Sequence, residues 1–124
     1  MSDDFRALPS PQTQGVLGSG LEMTCEPPEG APDPVVRWKK NGRFIDFTAA
    51  PNRVSITYNG HLRISQLLLD DEGRYQCVAS NMAAVRDSNP INLHILSKFI
   101  ITSFIFIIFH ICYTLNSILA IMAP

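Results

Sequence analysis

The sequence has almost no net charge with which to attract a highly charged partner. Its 124 residues include ten Lys or Arg and eleven Asp or Glu, which gives a formal net charge of −1 at pH 7. The field of the whole protein therefore favours neither nucleic acid nor an anionic membrane surface, and we expect no nucleic-acid partner. The length allows one domain with a tail.

Motifs for catalysis and metal binding are also lacking. The sequence has no Gly-x-Ser-x-Gly elbow and no phosphate-binding loop, and its serines have no recognisable triad partner. The three histidines are not spaced from the cysteines as metal ligands would be. The acidic run 70–72 stands alone, whereas calcium needs a dedicated loop that supplies six to eight oxygens. We therefore expect a protein that is not an enzyme and that holds no metal or other cofactor.

The N-terminus lacks the apolar segment of a signal peptide, because residues 1–6 are mostly polar and acidic. Cysteine is scarce, and two of the three cysteines, Cys25 and Cys77, lie in the polar part of the chain. A cysteine pair in a small domain favours an oxidising compartment. Two interpretations stay open: a cytosolic protein with two thiols, or an incomplete copy of a longer secreted chain.

No helix-period pattern of apolar residues occurs before residue 99. Short stretches alternate between apolar and polar side chains instead, and Asn41-Gly42 and Asn59-Gly60 supply tight turns between them. This alternation predicts an all-β sandwich, whose two inner faces require it. The predicted strands include residues 21–25, 36–39, 43–45, 54–56, 62–64, 75–79 and 91–95.

A tryptophan lies between the two cysteines of the polar region. Trp38 follows Cys25, and Tyr75 lies two positions before Cys77. In an immunoglobulin sandwich, two facing strands each supply one half-cystine, an indole packs on the bridge, and a tyrosine at this position bonds the backbone. The pattern therefore predicts a Cys25–Cys77 disulfide with Trp38 buried against it.

The residues around Tyr75 carry a family resemblance. The run from Asp71 through Gly73 to Cys77 resembles the Asp-x-Gly-x-Tyr-x-Cys signature of immunoglobulin domains, and the short strands with Asn81 resemble the I-set. Residues 3–95 resemble the second immunoglobulin domain of the roundabout family of axon-guidance receptors. The segments that carry this resemblance are 3–6, 25–30, 32–34, 38–42 and 81–88.

The resemblance implies an I-set domain over residues 3–96 and a location on the outer face of the plasma membrane. It implies an extracellular ligand-binding and adhesion module in axon guidance, with the secreted protein Slit as ligand and heparan sulfate as co-ligand. It also implies that Arg53 pairs with Asp71. The alternative is an intracellular structural I-set module of the muscle-filament type, which folds without a disulfide.

Basic residues cluster between positions 37 and 63. We expect Arg37, Lys39, Lys40 and Arg43 to form one anion-binding or partner-binding patch, and Arg63 to lie apart on the other sheet. The alternative is an ordinary solvated outer face of the sheet.

Residues 97–124 form an apolar tail. Its segment 99–122 has no charged side chain and is long enough to span a bilayer. Three interpretations stay open: a membrane anchor inserted through residues 99–122, a glycolipid-anchor signal, or non-native coding sequence. The glycolipid signal is disfavoured because Lys98 directly precedes the apolar segment and leaves no polar spacer.

Overall fold

The computed structural model describes residues 1–97 and 105–115. Residues 1–97 contain nine strands and a short 3₁₀ helix, η1, and residues 105–115 form an α-helix, α1. The strands are β1 Gln12–Val16, β2 Leu21–Met23, β3 Val35–Lys40, β4 Arg43–Phe44, β5 Val54–Ile56, β6 Leu62–Ile64, β7 Gly73–Ser80, β8 Val85–Asp87 and β9 Ile91–Leu96, and η1 is Leu69–Asp71.

The strands form two sheets. The larger sheet has the order β1-β9-β7-β3-β4, with β8 also paired to β7, and the smaller sheet has the order β2-β6-β5. The β1–β9 pair is parallel, and the other ladders are antiparallel. Apolar side chains from both sheets make one buried cluster, so the predicted all-β immunoglobulin-like sandwich is confirmed. All nine strands lie within the predicted domain 3–96, whose boundaries stay a prediction.

The predicted disulfide joins the two sheets. Cys25 follows β2 of the smaller sheet, and Cys77 lies in β7 of the larger sheet, with 6.3 Å between their Cα atoms. Trp38 pairs with Cys77 across the β3–β7 ladder and is only 1% exposed. Its indole N–H donates to the backbone oxygen of Gly60 at 2.8 Å, so its one polar group is satisfied inside the core. The predicted burial of Trp38 is therefore confirmed.

A buried polar cluster holds the turn before β7. The Tyr75 hydroxyl donates to the backbone oxygen of Asp71 at 2.5 Å, as expected of a tyrosine corner. The Asp71 carboxylate is almost buried and accepts from the Arg53 guanidinium at 2.6 Å and from the Leu68 backbone N–H at 2.7 Å. The predicted Arg53–Asp71 pair is therefore confirmed. Burial, with the nearby Asp71 charge, raises the pKa of Tyr75, so this phenol stays a hydrogen-bond donor.

Gly73 leaves room for the side chain of Asn41. A Cβ at position 73 would lie 3.0 Å from Asn41 Oδ1, which accepts a hydrogen bond from the Arg74 backbone N–H at 3.0 Å. Asn41 itself has a left-handed backbone with φ of 50°, and its N–H donates back to the Arg74 oxygen. The glycine of the signature is thus needed here for close approach of the β3–β4 turn.

The last strand of the larger sheet is interrupted in a way that the sequence pattern did not predict. Val78 pairs with Asp87, but Tyr75 pairs with Ile91, so the ladder shifts by one residue between the two pairs. Residues 88–90 contain the extra residue, which makes this a β-bulge between β8 and β9.

Ser88 replaces a ladder bond that the bulge removes. Its hydroxyl oxygen accepts from the Cys77 backbone N–H at 2.9 Å and the hydroxyl donates to the Asn89 backbone oxygen at 3.0 Å. Ser88 is nearly buried, as is the half-cystine it contacts. The serine therefore satisfies the backbone beside the disulfide, where an unpaired N–H would be costly.

The described part of the tail, residues 105–115, is the helix α1. All side chains of α1 are exposed. Within the described parts of the chain, no helix is both long and apolar enough to cross a membrane. The predicted segment 99–122 extends on both sides of α1, and its residues 99–104 and 116–122 lie outside the described residues.

Removing the disulfide should destabilise the domain strongly. We expect the double substitution Cys25→Ala, Cys77→Ala to lower the free energy of unfolding by about 4 kcal/mol, because the unfolded chain gains the entropy of an open loop. This is a large part of the roughly 5–15 kcal/mol typical of a domain. Equilibrium denaturation measures the change. Cys112→Ala is the matched control, since Cys112 is free and exposed and its loss should leave the midpoint unchanged. Equal midpoints for all three proteins would contradict the structural role of the bond.

Removing the Ser88 hydroxyl should also destabilise the fold. Ser88→Ala leaves the buried Cys77 N–H without its acceptor, and we expect a loss of about 1–3 kcal/mol. Ser65→Ala is the control, because the Ser65 hydroxyl makes only an exposed 3.3 Å hydrogen bond and its loss should cost less than about 0.5 kcal/mol. The same denaturation curves measure both variants, and equal stabilities would show that the bulge does not depend on Ser88.

Candidate functional site

Strand alternation places cations on the outer face of the larger sheet. In β3 the indole of Trp38 points into the core, so its neighbours Arg37 and Lys39 point away from it. Phe44 of β4 pairs with Lys39 and therefore lies on the same face. We refer to Arg37, Lys39 and Phe44 as the outer-face cluster.

The two cations of the outer-face cluster contact one aromatic ring. The guanidinium carbon of Arg37 lies 4.0 Å from the centroid of the Phe44 ring, and Lys39 Nζ lies 5.0 Å from it. Both distances are within the range of cation–π attraction. Phe44 is 46% exposed and Arg37 is exposed, whereas the Lys39 side chain is 23% exposed, so the ring orients one open and one partly covered cation.

The buried side chain of Val78 and the carboxylate of Asp87 lie beside this cluster. Val78 faces outward between Arg37 and Asp87 in the ladder registers, yet it is only 1% exposed. The Asp87 carboxylate lies 3.5 Å from Lys39 Nζ. Such a partly exposed pair contributes only about 0–1 kcal/mol, so an anionic ligand can compete for the lysine.

The other two predicted cations point elsewhere. Lys40 pairs with Tyr75, and its ammonium donates to the Asp70 backbone oxygen and lies 5.9 Å from the Tyr75 ring. Arg43 pairs with Lys40 across the β3–β4 turn, so both belong to the opposite side of the sheet from Arg37. The expected single patch is therefore divided into two pairs, because side chains alternate along β3.

Two further basic residues, Arg63 and Arg74, lie on different sheets. Arg63 lies in β6 of the smaller sheet, beside Glu22, and is apart from the others as expected. Arg74 is exposed on the outer face of β7 and was not predicted as a site residue. Phe44 and Asp87 were not predicted as site residues from the sequence either. Alternation along β7 signals Arg74, and the tight turn at residues 41–42 signals that Phe44 lies opposite Lys39.

A wide concavity lies away from these cations. It has a volume of about 650 Å³ and lies at the loop end of the sandwich, between the proline-rich loop and the β5–β6 turn. Its wide opening and polar lining suit water better than a small molecule. The lining residues are Arg6, Pro27, Pro28, Glu29, Gly30, Asp33, Pro34 and Asn59. Across residues 1–97 and 105–115, no three His, Cys, Asp or Glu side chains converge on a metal-binding position.

Comparison with known proteins agrees with this geometry. The family model described as "Immunoglobulin domain" matches residues 6–81. The Caenorhabditis elegans protein sax-3 is 37% identical over 98 residues, which are 79% of this chain and 8% of that protein. Human Roundabout homolog 1 is also 37% identical over 98 residues, which are 79% of this chain and 6% of that protein. The chain thus spans less than a tenth of the length of these relatives.

A solved structure shows the same architecture. The N-terminal Ig1-2 module of the Drosophila receptor protein tyrosine phosphatase DLAR superposes with a TM-score of 0.68 at 29% identity, covering 75% of this chain and 45% of that one. The similarity supports an immunoglobulin module of a cell-surface receptor, and domains of this kind are typically not enzymes. The chain belongs to the immunoglobulin domain family, and its domain is a roundabout-family immunoglobulin domain, as its sequence motifs indicated.

Proposed function

We propose that this domain is an extracellular ligand-binding and adhesion module of a roundabout-like receptor, equivalent to the second immunoglobulin domain of that family. Its role would be in axon guidance at the plasma membrane, through a Slit-like protein ligand and heparan sulfate. The observation that carries the proposal is the outer-face cluster, in which two cations are held on an exposed ring. The similarity to sax-3 and Roundabout homolog 1 supports the class of receptor.

The chemistry of the cluster fits a sulfated or carboxylated ligand. A guanidinium presents a rigid fork of donors that matches the oxygens of sulfate and carboxylate groups. Stacking on Phe44 restricts the Arg37 side chain before any ligand arrives, so less conformational entropy is lost on binding. Arg74 adds a further cation to the same face and is exposed, as Arg37 is.

The second pair of cations can contribute to the binding of a long polymer. Lys40 and Arg43 lie on the other side of the same two-strand hairpin, which turns at residues 41–42. A polysaccharide that passes over this edge of the sheet can contact both pairs, although a compact anion cannot. Each exposed contact contributes little, so affinity depends on several contacts and falls steeply with added salt.

The disulfide argues against the alternative of an intracellular structural module. A cross-link between Cys25 and Cys77 persists in oxidising compartments, whereas cytosolic thiols are kept reduced. The bond therefore favours an oxidising compartment, such as the cell exterior, over the cytosol.

Charge reversal in the outer-face cluster should weaken heparin binding. We expect the full chain carrying Arg37→Glu and Lys39→Glu to elute from a heparin column at lower salt than the parent. Its affinity should fall by about five- to thirtyfold, since two exposed ionic contacts of up to about 1 kcal/mol each are lost. Lys40→Glu with Arg43→Glu should give a smaller decrease.

The control carries the same change of net charge elsewhere. Arg6→Glu with Arg63→Glu alters the loop end and the smaller sheet, and its elution should stay close to that of the parent. If the control and the outer-face variant eluted at equal salt, heparin would be sensing net charge alone, and the outer-face cluster would not be the binding site.

A further inference from the structure

Helix α1 exposes an unusual amount of apolar surface. Eight of its side chains are large, apolar and at least half exposed, and they are Ile105, Phe106, Ile107, Ile108, Phe109, Ile111, Tyr113 and Leu115. The tail around it, residues 99–124, has no charged side chain. Exposed apolar surface of this density marks a region that is covered by something else.

The apolar side chains point to nearly every side of the helix. A surface helix of a soluble domain has one apolar stripe, whereas a helix that is apolar all round is normally buried on all sides. His110 and Thr114 are four residues apart and so share one narrow side. The Thr114 hydroxyl donates to the His110 backbone oxygen at 3.0 Å, so this polar group is satisfied within the helix and needs no water.

The chemistry of the segment discriminates among the surfaces that could cover it. A protein groove covers one stripe of a helix and has a polar rim that needs polar or charged partners. In a coiled coil of two helices, charged flanking positions set partner choice and orientation. Residues 99–124 offer no charge for either purpose. Lipid chains can surround a helix on all sides, and their contact with it requires no charged side chain.

We infer that α1 inserts into the hydrocarbon of a zwitterionic lipid bilayer. A helix of this length is about 16 Å long, roughly half of the hydrocarbon thickness, so α1 reaches into one leaflet. The absence of Lys and Arg from the segment means that anionic lipid is not required. This inference does not rest on the proposed ligand-binding function, because it concerns the tail and not the outer-face cluster.

The free cysteine allows a fluorescent probe to be attached within α1, where it reports the polarity around the helix. Cys112 is exposed in α1 and is the one cysteine outside the disulfide, so a polarity-sensitive fluorophore can be attached there. We expect phosphatidylcholine vesicles to shift the emission of the labelled full chain to the blue. Lipids brominated along their acyl chains should quench it.

Two variants test whether α1 or the surface of the sandwich is responsible for binding to lipid. Ile108→Lys with Ile111→Lys should lower lipid partitioning by at least about tenfold, since lysine is strongly disfavoured in hydrocarbon. Tyr58→Lys with Met82→Lys removes two exposed apolar side chains from the sandwich and should leave partitioning unchanged. The single tryptophan, Trp38, reports in the same samples that the sandwich remains folded.

A lipid-dependent shift that is lost in the α1 variant and kept in the sandwich variant supports the inference. Three results would overturn it: no shift with vesicles, a shift that persists in the α1 variant, or a full shift produced by protein concentration alone without lipid. The last result would identify a second copy of the chain as the cover. Heparin elution is measured without lipid, so failure of either proposal leaves the other unaffected.

Discussion

The Cys25–Cys77 bond, with Trp38 paired beside it, holds the two sheets of the sandwich together. The bond joins the segment after β2 of the smaller sheet to β7 of the larger one, and the indole that pairs with Cys77 belongs to the core between the sheets. Every inward position of β3 and β7 is then determined by period-two alternation. The buried hydrogen bonds follow from the same arrangement, since the Trp38 indole must reach Gly60 and the Cys77 N–H must reach Ser88.

The outer face is the consequence of that inner arrangement. Because Trp38 points inward, Arg37 and Lys39 are placed outward on both sides of it, and the tight turn brings Phe44 beneath them. The core therefore fixes the spacing of the cations that we propose to bind ligand. A rigid sheet with preoriented cations loses little entropy on binding, which suits a module that recognises a large anionic partner by several weak contacts.

Much of the fold could be predicted from the sequence. The features that could not be predicted depend on how the strands pair. The disulfide and the buried tryptophan carry local signatures in residue type and spacing, and the Arg53–Asp71 pair was implied by the family resemblance. The bulge at residues 88–90 has no such signature, because it depends on register against β7. The single basic patch was expected because its residues share one sheet, and the alternation of Lys39 and Lys40 divides it between the two faces of that sheet. The role of Phe44 emerges only once the hairpin register is known.

A thiol count on the protein from its natural source distinguishes a disulfide-linked extracellular recognition domain from an intracellular structural module. The protein is unfolded without reductant, and its thiols are titrated with a chromogenic reagent, with a reduced sample as the internal standard of three cysteines. We expect one reactive thiol per chain, that of Cys112. Three thiols per chain before reduction would contradict this expectation and would favour the intracellular structural module instead.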